Sequence, residues 1–301
     1  MGSFFDTEIT LFIDSEGYAQ YYGSQRTHLS FDYDENIWVM ISNPHPKARA
    51  ITKAVGNTLA LGSKIWTISN DLCEGELVEK TLKITSCQEE QFTCFDGRCI
   101  PISERCNLVN NCNDWSDEKG CNIIVFPESY TKEFPPFSVV EKEIIKVNVN
   151  VSFHIMEFVD VSENDNAIEI MFILFLQWRD IRVSFENLQA DMYSNRLTEN
   201  QKALSWFPEL TFNTVMNEKV LMDGKAGMNI IRNGSFILSS IDDVDEKTIY
   251  KGDENPLLYH RSYTKVFSCN FKLALYPFDT QKCKVEMTLG KIDMNFINLI
   301  R

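Results

Sequence analysis

From Val147 to Ile155 apolar and polar residues alternate. Val147, Val149, Val151, Phe153 and Ile155 fall on one side, and Lys146, Asn148, Asn150, Ser152 and His154 on the other. A period of two specifies a strand with one buried and one wet face. A turn at Ser162–Asn166 leads into Ala167–Trp178, which is apolar on both sides through its middle and therefore predicts a strand covered on both faces. Ile230–Leu238 and Tyr263–Leu275 read as further strands, and the acidic run Asp242–Glu246 between them as a solvated loop. The N-terminal third holds shorter runs, Glu8–Ile13, Ile37–Ser42, Lys64–Ser69 and Lys80–Thr85, punctuated by turn residues such as Asn43-Pro44-His45-Pro46 and Gly56-Asn57. These predict a β-rich module of unknown type over residues 1–86. Phe134-Pro135-Pro136 disfavours helix and ends an expected linker, residues 122–135. The fold class is mainly β.

Residues 87–121 interrupt this pattern with six cysteines, Cys87, Cys94, Cys99, Cys106, Cys112 and Cys121. So short a unit cannot bury enough apolar surface to fold without staples. Phe92 and Ile100 supply most of its miniature core. Asp114, Asp117 and Glu118 crowd its end, where like charges repel unless a cation gathers them, and calcium takes several hard oxygen ligands. Cysteine clustering of this kind suits an oxidising, extracellular compartment. The sequons at Asn150 and Asn233 agree with secretion. Cys73 is left over; an upstream partner, a partner within its module and a free thiol all stay open.

Composition narrows the function. A formal charge of −14 argues against nucleic acid and against anionic membrane surfaces. The longest apolar run, Ile170–Leu176, has seven residues, against roughly 18 for a membrane helix. Met1–Gly17 has no basic cluster before an apolar stretch, so it does not read as a signal peptide. A disulfide-rich chain with neither feature is expected to be a fragment of a longer precursor. No His-Glu-x-x-His, Gly-x-Ser-x-Gly or phosphate-loop motif occurs, and four scattered histidines make no site, so an enzyme is not expected.

Two motifs carry the functional reading. Trp178-Arg179-Asp180-Ile181-Arg182 reads locally as a strand end with a packed indole and an ion pair. Cys269 and Cys283 enclose thirteen residues that include Tyr276-Pro277-Phe278-Asp279 and Gln281. Closing such a loop is worth about 3 kcal/mol in the chain-entropy picture, and the spacing alone equally suits an ordinary bridge between strands. Taken in order with Trp206-Phe207-Pro208 and Asn213, however, these motifs resemble the extracellular domain of the Cys-loop receptors, the pentameric ligand-gated ion channels, over roughly residues 126–301. The resemblance implies an immunoglobulin-like β-sandwich over residues 122–301, incomplete at its C-terminus, with a Cys269–Cys283 bond. It implies a subunit of a homo- or hetero-pentamer at the extracellular side of the plasma membrane, binding a small extracellular ligand of unknown identity. The membrane domain would lie outside this chain. Pro277, Phe278 and Asp279 would couple ligand binding to that domain, and Trp178, Asp180 and Trp206 would be structural. Ile173 and Gly290 stand where many members carry aromatics, so an aromatic box for an amine is not supported and no ligand-contact residue is named. A secreted, pore-less binding protein built on the same sandwich is the alternative.

Phe92-Thr93-Cys94, Asp96-Gly97-Arg98-Cys99-Ile100 and Asp114-Trp115-Ser116-Asp117-Glu118 resemble the LDL-receptor class A module. Together the two resemblances suggest invertebrate receptor subunits of composite type. The class A pattern implies the pairs Cys87–Cys99, Cys94–Cys112 and Cys106–Cys121. It also implies a calcium cage of the Glu104 and Val109 carbonyls with the side chains of Asn107, Asn111, Asp117 and Glu118. Asparagine stands at 107 and 111 where the family has aspartate, so a weaker structural calcium site is expected.

Overall fold

The computed structural model describes residues 9–13, 19–23, 27–42, 48–54, 59–70, 77–88, 90–213, 215, 225–239, 245–275, 278–290 and 295–300. Cys73 and Pro277 lie outside them. The chain forms two compact units, Met1–Gly120 with Leu238–Lys247, and Cys121–Ile237 with Thr248–Arg301.

In the first unit seven strands pair antiparallel in chain order: β1 (Ile9–Ile13), β2 (Ala19–Gly23), β3 (Thr27–Asp32), β4 (Ile37–Ser42), β5 (Ala48–Lys53), β6 (Gly62–Asn70) and β7 (Val78–Ile84). The register lines up Leu29, Met40, Ala50 and Ile68 in one cross-strand row. On that face Trp38 and Trp66 are buried, Trp38 against the edge of Tyr21. β5 buries Ala48, Ala50 and Thr52, small side chains on the same face as the indoles. The sequence pattern found β1, β4, β6 and β7 but not β2, β3 or β5, whose buried faces carry too little bulk or are interrupted by polar residues.

The six-cysteine segment follows as the hairpin β8 (Gln91–Thr93) and β9 (Cys99–Pro101). Cys87–Cys99 and Cys94–Cys112 are bonded, and Cys106 and Cys121 are also in disulfide linkage. Phe92, Cys94, Ile100 and Cys112 form its core. Its backbone meets β6 closely. Ser63 N–H donates to the Phe95 carbonyl at 3.2 Å, and a Cβ on Gly62, whose φ is +88°, would strike that carbonyl. Only glycine fits there.

The second unit is a β-sandwich. One sheet has the order β17 (Gly227–Ile230), β20 (Leu257–Ser268), β14 (Ala167–Trp178), β13 (Val147–Ser162), β22 (Ile297–Ile300), with β13 and β22 parallel. The other runs β10 (Ile124–Val125), β15 (Ser184–Glu186), β19 (Thr248–Lys251), β18 (Ile237–Leu238). The small pairs β11 (Ser138–Val140) with β12 (Glu143–Ile145), and β16 (Leu210–Phe212) with β21 (Met287–Leu289), complete it. The inward residues of β14, Ile168, Ile170, Phe172, Leu174, Leu176 and Trp178, share one core with Phe185, Tyr250 and Phe267. The outward residues of β14 are only half-covered, and Met171 is exposed, so the expectation of full burial on both faces fails. Among the described residues one α-helix, α1 (Glu199–Leu204), starts with a capping box between Thr198 and Gln201.

Two predicted strands are corrected. Residues 231–236 are not strand, so Ile230–Leu238 divides between β17 and β18. The cause is the buried Asn255, whose Oδ1 accepts from the Asn233 and Gly234 N–H groups at 2.9 and 3.0 Å. The expected strand Tyr263–Leu275 begins earlier, as β20, and ends at Ser268, where the disulfide takes over. Of the expected solvated acidic loop Asp242–Glu246, Asp245 is exposed, while Glu246 is half-buried in the first unit, where its carboxylate accepts from Thr93; residues 240–244 lie outside the described residues.

Nor are residues 122–135 a free linker. Ile124 pairs with Phe185, and Tyr130 joins a polar node at the end of β14. Asp180, 1% exposed, takes a two-pronged ion pair from Arg182 at 2.9 and 2.8 Å. Arg182 also donates to the Thr131 and Phe134 carbonyls and lies over the Tyr130 ring at 4.6 Å. The Tyr130 hydroxyl accepts from Trp206 N–H at 2.7 Å and faces Asp180 at 3.4 Å. Trp178 and Trp206 pack edge-to-face beside it. Burial, more than the Asp180 charge, pushes the Tyr130 pKa up to about 12.

Two outcomes follow. Asn255→Ala leaves two N–H donors without their acceptor and should cost about 1–3 kcal/mol in chemical denaturation. Tyr130 stays neutral in the folded chain to about pH 12, whereas an unfolded tyrosine ionises near 10. Stability should therefore fall as pH rises between those values, and the fall should be smaller in Tyr130→Phe, read from unfolding midpoints across that window.

Candidate functional site

The six-cysteine module presents a carboxylate and amide cluster made by its own tight turns. Asp117 and Glu118 sit on the 3₁₀ turn Ser116–Glu118, which follows Trp115 in a left-handed conformation. Asp117 is 0% exposed and its Oδ2 accepts from Asn111 N–H at 2.7 Å. Glu118 Oε1 accepts from Asn107 and Leu108 N–H at 2.8 and 3.0 Å. Asn107 Oδ1 accepts from Val109 N–H at 2.8 Å. Asn111 Oδ1 is buried with no hydrogen-bond partner. Burial first, and the Asp117 charge further down, push the Glu118 pKa up, against the pull of the N–H groups.

Asn107, Asn111, Asp117 and Glu118 are thus linked through their own side-chain-to-backbone bonds. Glu104 ends the 3₁₀ turn Ile102–Glu104. Val109 is tied to Asn107, and no hydrogen bond to either predicted carbonyl ligand enters the cluster. Among the described residues no three of His, Cys, Asp or Glu converge. The amide oxygens at 107 and 111 would have to complete any ligand set. A buried, unpartnered acceptor beside two carboxylates suits a hard cation.

The second predicted site is the loop Cys269–Cys283, which is closed by a disulfide. Gln281 ties its two limbs together, donating to the Lys272 carbonyl and accepting from Lys272 N–H at 3.1 and 2.9 Å, and its amide also meets the Asp279 carboxylate. Phe278 is 92% exposed. The core takes nothing from it, while Cys269 at the loop's root is buried.

The outward face of the larger sheet bears a cavity of about 360 Å³ lined by Asn150, Ser152, Phe175, Gln177, Leu258 and Ile300, among others. Its walls carry amides, a hydroxyl and one aromatic ring, with no charge. Asn150 is exposed on β13, and Asn233 is exposed after β17. Trp178, Asp180 and Trp206 are buried in the node described above and do not line this cavity. Sequence reading missed Tyr130, whose partners stand 50 and 76 residues away, and Glu246, 153 residues from Thr93. The capping-box spacing Thr198-x-x-Gln201 was the available signal for α1.

Comparison with known proteins divides the chain as its cysteines do. Residues 85–121 match the low-density lipoprotein receptor domain class A. The chain is 46% identical across 41 residues to low-density lipoprotein receptor-related protein 10 of Mus musculus, 14% of this chain and 6% of that protein. It is 49% identical across 35 residues to SCO-spondin of Bos taurus, 12% and 1%. The chain therefore spans less than a tenth of these curated relatives. A solved structure of AChBP from Bulinus truncatus aligns over 56% of this chain and 68% of that one, at 16% identity and a TM-score of 0.33. Residues 125–300 match the neurotransmitter-gated ion-channel ligand binding domain, more than half of the chain, and the chain belongs to that family.

Proposed function

We propose that this chain is the extracellular, ligand-binding part of a subunit of a pentameric neurotransmitter-gated channel, and that the Cys269–Cys283 loop passes the effect of ligand to a membrane domain. The family match supports binding. The observation that supports coupling is Phe278. An aromatic side chain this exposed is held on a loop stiffened by a disulfide and by both Gln281 bonds, where it is free to meet a partner. Pro277 and Asp279 flank it. The assembly, homo- or hetero-pentameric, would stand at the outer face of the plasma membrane, with glycans on Asn150 and Asn233, whose side chains are exposed. The ligand is a small extracellular molecule. Among the described residues no helix is long and apolar enough to cross a membrane.

The test is electrophysiology on the channel subunit that carries this chain. Phe278→Ala should leave surface assembly unchanged and lower ligand-evoked current, with little change in ligand binding. Unaltered current at normal surface density would remove the coupling role and leave a binding function without a pore.

We propose further that the class A module holds structural calcium. Asn111 Oδ1, Asn107 Oδ1, Asp117, Glu118 and the carbonyls of Glu104 and Val109 would surround it. The ion would supply the charge that the two carboxylates lack. Two carboxylates instead of four place the affinity in the weak, extracellular range of about 10⁻⁴–10⁻³ M. Because the Glu118 pKa is raised, protons should compete with calcium as pH falls toward that value, and binding should be weaker at pH 5 than at pH 7. Calorimetric titration of the whole chain checks this, with Asp117→Asn expected to lose at least about tenfold in affinity. No saturable heat at millimolar calcium would defeat the assignment.

A further inference from the structure

The sequon Asn150-Val151-Ser152 lies within β13 rather than on a loop. A strand points residues i and i+2 to one face, so the acceptor amide and the hydroxyl of the sequon stand together on the outward face, both exposed. The register sets their neighbours. Ile300, Asn150, Gln177 and Leu258 form one cross-strand row through β22, β13, β14 and β20. Ser152, Phe175, His260 and Gly227 form the next. The cavity of about 360 Å³ draws its wall from both rows, and Asn150 and Ser152 are part of that wall. A Cβ on Gly227 would strike the His260 ring. The imidazole therefore lies over the bare backbone of β17 and stays out of the cavity lining.

The chemistry of the wall is that of a sugar site. No charged residue lines it, although Asp, Glu, Lys and Arg make up 24% of the chain, so neutrality is not a property of the surface at large. Side-chain amides and hydroxyls both donate and accept, as sugar hydroxyls and an N-acetyl group do. Among the described residues no hydrogen bond takes up the Asn150, Ser152 or Gln177 side chain. Asn148, two residues away on the same strand, is by contrast met by Asn298 Nδ2 at 3.4 Å. Phe175 adds a half-buried ring, whose negatively polarised face suits the C–H face of a pyranose. Leu258 and Ile300 supply apolar wall. The volume is at the small end of ligand pockets, which run about 300–1,000 Å³, and it suits one ring rather than a chain of them.

We propose that this cavity is a saccharide seat, and that its occupant is the first N-acetylhexosamine of a glycan carried by Asn150 itself. The inference rests on the reading of Asn150 as a glycosylated residue. The bond joins the Asn150 amide nitrogen to the anomeric carbon of the sugar. A glycosyl diphosphate supplies that carbon, its diphosphate leaves with the electron pair, and the amide nitrogen loses one proton. Because the sugar is tethered at the cavity's own wall, seating it is an intramolecular step that escapes most of the entropy a free ligand loses. Asn233, on irregular backbone after β17, does not line the cavity, and its glycan stays in solvent.

Digestion of the whole folded chain, made in a glycosylating cell, with a peptide N-glycosidase tests this. Release converts the carrying asparagine to aspartate, so mass spectrometry reads each site separately. Phe175→Ala and Gln177→Ala remove the ring and the amide of the wall, and neither side chain belongs to the core. Release at Asn150 should be slower in the unchanged chain than in either variant by about tenfold or more, while release at Asn233 should be the same in all three. A chain without glycan at Asn150 would overturn both the glycosylation reading and the seat. A glycan present at Asn150 but released at one rate in all three chains would leave the glycosylation reading standing and overturn the seat.

Discussion

The Asp180–Arg182 pair is the constraint on which the sandwich depends. A carboxylate this deeply buried is tolerable only with its charge met and its lone pairs filled, and Arg182 does both through a planar two-pronged contact. Replacing such a pair by apolar residues is often neutral, whereas removing one partner alone costs about 3–5 kcal/mol. Its value is therefore in specifying arrangement. Arg182 spends its remaining donor on the Thr131 and Phe134 carbonyls, and Tyr130 relays between Asp180 and Trp206 N–H. The end of β14, the entering chain and the Trp206 segment are thereby fixed at one point. That point turns a stretch of irregular backbone into a rigid entry to the sandwich.

The class A module solves a different problem. Phe92 and Ile100 cannot hold a unit of this size together, so disulfides restrict its unfolded chain and β6 and β7 lend it additional contacts. Gly62 and Gly97 show how close that contact is. A Cβ on Gly97 would meet Leu61, so both partners need bare backbone. The module and the seven-stranded sheet are accordingly one unit rather than two beads, with Thr85 and Thr93 hydrogen-bonded across the join.

The sequence was legible where side chains are large and periodic. Ala167–Trp178 was predicted from its apolar pattern, and β14 has those bounds, because burial of alternate bulky residues outweighs every local preference. β5 was not legible because alanine and threonine form its buried face. Ile230–Leu238 misled because a buried amide, Asn255, breaks the run from outside it. The cysteine motifs pointed to the two candidate sites, and the run at Trp178 to a structural node. What could not be read was the polar geometry around them: the unpartnered Asn111 Oδ1, the Tyr130 relay and the capture of Glu246 each join residues whose separation along the chain carries no periodic signal.

Charge sets apart the two polar clusters of the first unit. Lys83 lies against the Glu246 carboxylate, while the buried Arg105 donates to the Glu246 backbone carbonyl. Asp117 is buried and Glu118 half-buried, and both accept from backbone N–H groups, which carry no net charge. Those bonds lower the Glu118 pKa, yet burial and the neighbouring Asp117 prevail and leave it raised. A cation at Asp117 and Glu118 would do there what Lys83 does for the Glu246 carboxylate.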